Sequence, residues 1–430
     1  MKKLTFLLIM GFLLLSCKSN PEQSESTTPI INLSERVTEV PNLFLSDAVE
    51  KVEIVPLETT NESLLKTINL IEITDESIFV YQTGAEILRF SHDGKFMNKV
   101  GKKGQGPGEY IYIDGFQIDE NKSEIYVITT ANGVLVYDYE GTFKRKAIDH
   151  TDLKTLFSSI INKQYLLSNE RFFFTQTLPF TKPVTKDSIW SVSVTDKQFQ
   201  IKNTFCNPAY QEQIETINKN LAGKGNNYLT DYPISMDSYH NEITLKYSDT
   251  DTIFVYDMST QQLKPQYSIY SKEDKGAYVE THLWLKERSA FDYFSIYSYY
   301  PTKDFIYLIS SKNDEIYTFA YNKKDATVKL SRKQGTIIER KLPWNTTHRR
   351  LDRPFILTND ICGGEFNIRY RSQGKYWIDI QALNYEEYLV DTEKLASSPV
   401  KNEQNKQALL DTFKQLNEDS NPVLLIAKLK

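Results

Sequence analysis

From about residue 64 the chain alternates short apolar-aromatic runs with turn residues. Ile78-Phe79-Val80-Tyr81 is followed by Ile87-Leu88-Arg89-Phe90, the turn Ser91-His92-Asp93-Gly94 and the run Lys95-Phe96-Met97-Asn98-Lys99-Val100. The same order returns with Ile125-Tyr126-Val127-Ile128, Val134-Leu135-Val136-Tyr137, the turn Asp138-Tyr139-Glu140-Gly141 and a run from Thr142 to Ala147. Asp-Gly is a hairpin signal because glycine takes positive φ without a Cβ clash. Gly94 and Gly141 lie 47 residues apart, and a period of about 40–50 residues holding four strands marks a propeller blade. Weaker copies pass through Trp190–Ile201, Glu242–Ile269, Phe305–Leu330 and Phe366–Ala427. Six units predict an all-β, six-bladed β-propeller over residues 31–430.

Helical spacing is confined to a few stretches. Residues 384–396 and 403–417, with Leu409, Leu410, Phe413 and Leu416, read as a short helical insertion at about 384–417 near the C-terminus, and 211–222 reads as a third short helix. An open ring would leave two bare sheet edges. The extended run Val52–Leu57 and the run Val423–Leu429 are therefore expected to pair within one blade and close the ring.

The start of the chain follows a different pattern. Lys2 and Lys3 precede an apolar run, Leu4–Leu15, too short for a comfortable membrane span and of signal-peptide length. Leu14-Leu15-Ser16-Cys17 resembles the bacterial lipobox, so residues 1–16 read as a lipoprotein signal peptide and Cys17 as the lipidated residue. Residues 17–30 read as the lipidated end and a flexible polar tether. The expected location is the outer membrane of the cell envelope, with the lipid as the membrane contact. The two other cysteines, Cys206 and Cys362, read as separate buried thiols.

Composition narrows the possibilities further. Aromatic residues number 54 (27 Tyr, 23 Phe, 4 Trp), which suits packed strands. The net charge of -5 supplies no positive field for a polyphosphate, so no nucleic-acid partner is expected.

Candidate chemistry is sparse. Gly101-Lys102-Lys103-Gly104-Gln105-Gly106-Pro107-Gly108 lacks the Gly-Lys-Ser/Thr ending of a phosphate loop and reads as a tight connector between blades. His92, His150, His240, His282 and His348 form no metal-ligand motif, so neither metal nor cofactor is implied. Ser63-Leu64-Leu65-Lys66 fits S-x-x-K without companion motifs, and Asp249 with Asp251 reads as a polar turn. Asp187-Ser188-Ile189 and Asp251-Thr252-Ile253 resemble the O-glycosylation acceptor of Bacteroidota, which makes Ser188 and Thr252 candidate modification sites. Phe291–Tyr300 is strongly aromatic, and a period of two puts Phe291, Tyr293, Tyr297 and Tyr299 on one face for blade packing. Trp344 with Arg349, Arg350 and Arg353, in a stretch that Pro343 and Pro354 bracket as a loop, forms the candidate ligand-binding group. A ring beside guanidinium forks suits an acidic glycan.

The Gly-rich string, Phe90–Phe96, Val55–Thr60, Asp251–Phe254 and the ending Asn421–Lys430 together resemble the six-bladed β-propeller lipoproteins of Bacteroidota, and the connector itself is similar to that of NHL-type repeats. The resemblance spans nearly the whole mature chain. It implies a six-bladed propeller in the envelope and brings no catalytic residues with it. Two functions remain: a binding platform for a glycan, peptide or envelope protein, or a propeller hydrolase, lactonase or lyase with its site at the channel mouth. The catalytic residues of the second are unknown.

Overall fold

The computed structural model describes residues 28–129, 131–156, 165–175, 179–180, 185, 191–206, 214–215, 218–219, 228–229, 234–247, 250–273, 294–341, 347–352 and 354–430. Six sheets form the blades, each ordered from the axis outward. Blade 1 holds Leu70–Ile73, Ser77–Tyr81, Ile87–Ser91 and Phe96–Val100. Blade 2 holds Gly115–Asp119, Glu124–Thr129, Gly133–Asp138 and Phe143–Ile148. Blade 3 holds Tyr165–Ser168, Arg171–Thr175, Val192–Asp196 and Ile201–Phe205. Blade 4 holds Ile234–Tyr239, Glu242–Tyr247, Thr252–Asp257 and Gln262–Tyr270. Blade 5 holds Ser295–Pro301, Phe305–Lys312, Glu315–Asn322 and Val328–Gln334. Blade 6 holds Tyr370–Ser372, Tyr376–Gln381, Val423–Leu429 and, outermost, Val49–Pro56. The protein is a six-bladed all-β propeller, as its repeats predict.

The core lies between blades. Six apolar clusters among the described residues correspond to the six blade interfaces. Phe79, Tyr81 and Val100 of blade 1, for example, meet Phe116, Ile125 and Tyr137 of blade 2. A strand covered on both faces needs no polar alternation, so Ser77–Tyr81 and Val423–Ala427 are buried throughout. The outer strand Phe143–Ile148 is mostly exposed.

Two of the turn glycines serve this packing. Gly94 and Gly141 have φ of +88° and +86°, and a Cβ on either would lie 2.2 Å from a carbonyl oxygen, that of Pro56 or Lys99, on the outer strand of the preceding blade. In the Gly-rich string, Lys102–Lys103 pairs in parallel with Glu109–Tyr110, and the Tyr110 hydroxyl donates to the Val100 carbonyl. The string joins the outer strand of blade 1 to the inner strand of blade 2.

Val49–Pro56 runs antiparallel to Val423–Leu429 across the blade 6 seam. Buried Asn421 holds the adjoining segment: its side-chain amide donates to the Glu58 and Ser63 carbonyls and accepts from the Leu65 N–H. The Ser63 hydroxyl donates to the Glu58 carbonyl within this seam. Before Val49 the chain forms a strap with no period in its sequence. Ile30–Asn32 adds in parallel to the outer strand of blade 4 and Val37–Glu39 to that of blade 5.

Helices Thr392–Ser397 and Glu403–Gln415 are capped by the side chains of Asp391 and Asn402. Their Leu395, Leu409 and Phe413 enter the cluster between blades 5 and 6, beside Leu43 and Leu45. Residues 211–222 lie for the most part outside the described residues. Cys362 is buried, which pushes its thiol up to about 12, Cys206 is half-buried, and they are not joined in a disulfide.

Candidate functional site

The first strand of every blade lines the axis, so polar residues on these strands converge although they are far apart in sequence. A cavity of about 390 Å³ occupies the half of the channel where the inner strands begin, and its walls include Glu72, Gln117, Met236, Asp237, Tyr370 and Arg371. A second cavity, of about 480 Å³, opens where the inner strands turn into the second strands. Asp119, Glu170, Lys197, His240, Asn241 and Lys375 line it.

The blade 6 turn Ser372–Lys375 separates the two, and Gln373 lines both. The His240 N–H of blade 4 donates to the Gly374 carbonyl at 3.0 Å. Lys375 Nζ donates to Glu120 of blade 2 at 3.0 Å, and Gln373 Nε2 to Glu72 of blade 1 at 3.4 Å. Gly374 has φ of +63°, and a Cβ there would lie 2.8 Å from Ser238 Oγ. Only glycine lets the turn cross so close to blade 4.

Most charges at the two cavities are internally matched. Arg371 Nη1 lies 2.7 Å from Asp237 Oδ2, and its guanidinium sits 4.8 Å from the Tyr300 ring centre. Burial raises the Asp237 carboxyl above its usual range against the pull of Arg371. Lys197 contacts Asp119 and lies 2.5 Å from Glu170. Burial opposes the Lys197 charge, but the two carboxylates outweigh it and hold the ammonium above its ordinary value. Behind the channel wall, burial pushes Asp379 up to about 6 although Arg369 lies 3.4 Å away. Glu72 differs: burial pushes it to about 7, and only hydroxyl and amide donors oppose the shift. Among the described residues no group of three or more His, Cys, Asp or Glu side chains is placed to hold a metal ion.

The sequence-predicted site residues are elsewhere. Cys17, Ser188, Trp344 and Arg353 lie outside the described residues, as do Asp249, Phe291 and Tyr293. Arg349 and Arg350 are in a strand and not a loop: Thr347–Asp352 pairs with Thr336–Lys341, placing Arg349 opposite Glu339 and Arg350 opposite Ile338. The β-branched start of Thr336–Lys341 favours a strand, and Pro343 falls between the two strands and not within either. Thr252 opens a blade 4 strand and is half-buried. In the aromatic segment a bulge between Ile296 and Ser298 breaks the period of two. Tyr299 enters the cluster between blades 4 and 5, and Tyr297 packs on the cluster between blades 5 and 6. The residues that do converge carry a quieter signal: a charged residue interrupting an inner-strand run, as in Leu70-Ile71-Glu72-Ile73 and Ile234-Ser235-Met236-Asp237.

The chain is thus a six-bladed β-propeller with a polar channel divided by a turn. It belongs to the family described as Domain of unknown function (DUF4934), whose model matches residues 28–428. Among solved structures it is similar to a Bacteroides fragilis protein assigned as exported, at 17% identity and a TM-score of 0.55, over 93% of this chain and 99% of that one. A Bacteroides vulgatus member of the DUF4221 family matches at 10% identity and a TM-score of 0.42, over 71% of this chain and 98% of that one. No curated protein matches.

Proposed function

We propose that the protein is an exported envelope lipoprotein, anchored to the outer membrane through Cys17, whose channel face binds a polar ligand such as a glycan or peptide without converting it. The carrying observation is the pair of polar cavities on the axis, built by side chains from several blades and bordered by charges already paired within the fold. Such pairing holds side chains in position for recognition. The lipobox-like sequence before Cys17 and the exported assignment of the Bacteroides fragilis neighbour support the location. One observation favours the second reading, a hydrolase or lyase: Glu72 titrates at about 7 inside a cavity, where a general acid would serve.

Glycan and peptide arrays probed with the mature protein, followed by mass analysis of each retained ligand, test the proposal. Retention of a ligand with unchanged mass is expected, weakened when Asn241 and Lys375 are both changed to Ala. Conversion of the retained ligand to a product moves the assignment to the enzyme, and an array without any retained ligand removes the binding assignment.

A further inference from the structure

Glu72 lies deep in the ring, only partly covered, on the wall of the 390 Å³ cavity. Its carboxyl accepts hydrogen bonds from three neutral donors: Ser372 Oγ at 2.6 Å, Gln117 Nε2 at 2.8 Å and Gln373 Nε2 at 3.4 Å. Two of these donors are themselves fixed. Gln117 Oε1 accepts the Leu167 N–H at 2.9 Å, and Ser372 Oγ accepts the Ile73 N–H at 2.8 Å. Blades 1, 2, 3 and 6 therefore cooperate to hold donors against one carboxyl. Donors so placed favour its ionised form.

The counter-charge is missing. Among the described residues no Lys, Arg or His ion-pairs with Glu72. The two arginines that share its cavity are engaged elsewhere, Arg371 with Asp237 and Tyr300, Arg369 with Asp379 and Tyr388. The remaining charged groups are Asp114, which shares the cavity, and Glu120, whose charge opposes ionisation of Glu72. An inward-facing carboxylate without a cation is costly, and the rise of Glu72 to about 7 reflects that cost.

We propose that the cavity takes a small organic ammonium ligand whose primary amine donates to the Glu72 carboxylate. A bare metal ion is a poorer match, because hard cations need several oxygen ligands and Asp237 is already held by Arg371. Leu70, Phe116 and Met236 supply apolar wall for a carbon skeleton. The volume falls in the range of about 300–1,000 Å³ usual for small-molecule sites. The inference deepens the binding assignment and rests on it. Two sources present this chemistry, an amino sugar and a lysine side chain.

Calorimetric titration of the mature protein with glucosamine and with Nα-acetyl-lysine amide, beside glucose and the Nε-acetylated lysine derivative as neutral counterparts, tests it. Both ammonium probes, or the one of the correct source, bind more tightly at about pH 8 than at about pH 6, on either side of the Glu72 titration. The neutral counterparts bind more weakly. Glu72→Gln lowers ammonium affinity about tenfold to a hundredfold. Gln117→Met, which leaves the carboxylate in place, lowers it less. Equal binding of a neutral counterpart, or ammonium binding unchanged in a folded Glu72→Gln variant, overturns the ammonium inference and leaves the binding platform standing. Failure of both amines to bind also overturns it, whatever the arrays retain.

Discussion

At the scale of single residues, carboxyls raised by burial, Glu72, Asp379 and Asp237, shape how stability depends on pH. Glu72 rises from 4.5 to about 7 and Asp379 from 3.8 to about 6, each chiefly through burial. Between the unfolded and folded values the unfolded chain releases a proton that the folded chain keeps. Their contribution is therefore fully present below the unfolded values and is lost as pH rises through about 6 and then about 7. The melting temperature is expected to fall from about pH 5 to about pH 8, with Glu72 accounting for roughly 1–2 kcal/mol after allowance for its contact with the cavity. Glu72→Gln should flatten the calorimetric profile over that range; an equally steep profile would show that another group sets it. Sequence alone could not assign this role. Glu72 reads as one polar position in an apolar strand, and Gln117, Ser372 and Gln373 join it only because inner strands meet on the axis. Gly94 and Gly141 were legible as turn residues, whereas the neighbouring blade's carbonyl that excludes a Cβ was not.

At the scale of elements, the seam and the strap make unequal contributions. Val423–Ala427 are wholly buried and form the third strand of blade 6, between Tyr376–Gln381 and Val49–Pro56. Deleting residues 423–430 leaves both partner strands with open edges and should abolish the cooperative transition. Deleting residues 28–40 removes buried Ile31 and Leu33 and should cost about 3–5 kcal/mol while the ring persists. Differential scanning calorimetry of the two truncations separates these outcomes, and an unchanged transition in the C-terminal truncation would refute the seam's role. The repeats were readable because each blade carries long apolar strands and fixed turns. The strap was not, since three-residue strands such as Ile30–Asn32 are too short for periodicity and pair with residues far along the chain. The strand Thr347–Asp352 was obscured for another reason: Pro343 and Pro354 on either side of it suggested a loop, although neither falls within it.

At the scale of the whole molecule, the strap fixes where a tether would leave the ring. The Pro29 carbonyl accepts the Ser268 N–H at 2.9 Å on the outer edge of blade 4. With lipid on Cys17, about 11 residues reach at most roughly 40 Å from the membrane surface to that edge. Cys17→Ala should move the protein out of the membrane fraction, and its recovery there at the wild-type level would count against the anchor. The blade 6 seam also bears on how such a chain is delivered. Its two outer strands come from opposite ends of the folded region, so the final blade cannot be completed until Val423–Leu429 is available. Contacts of such long sequence separation form late. If the chain is exported as proposed, the ring can close only once Val423–Leu429 has arrived, and until then the edges of blade 6 stay open to aggregation.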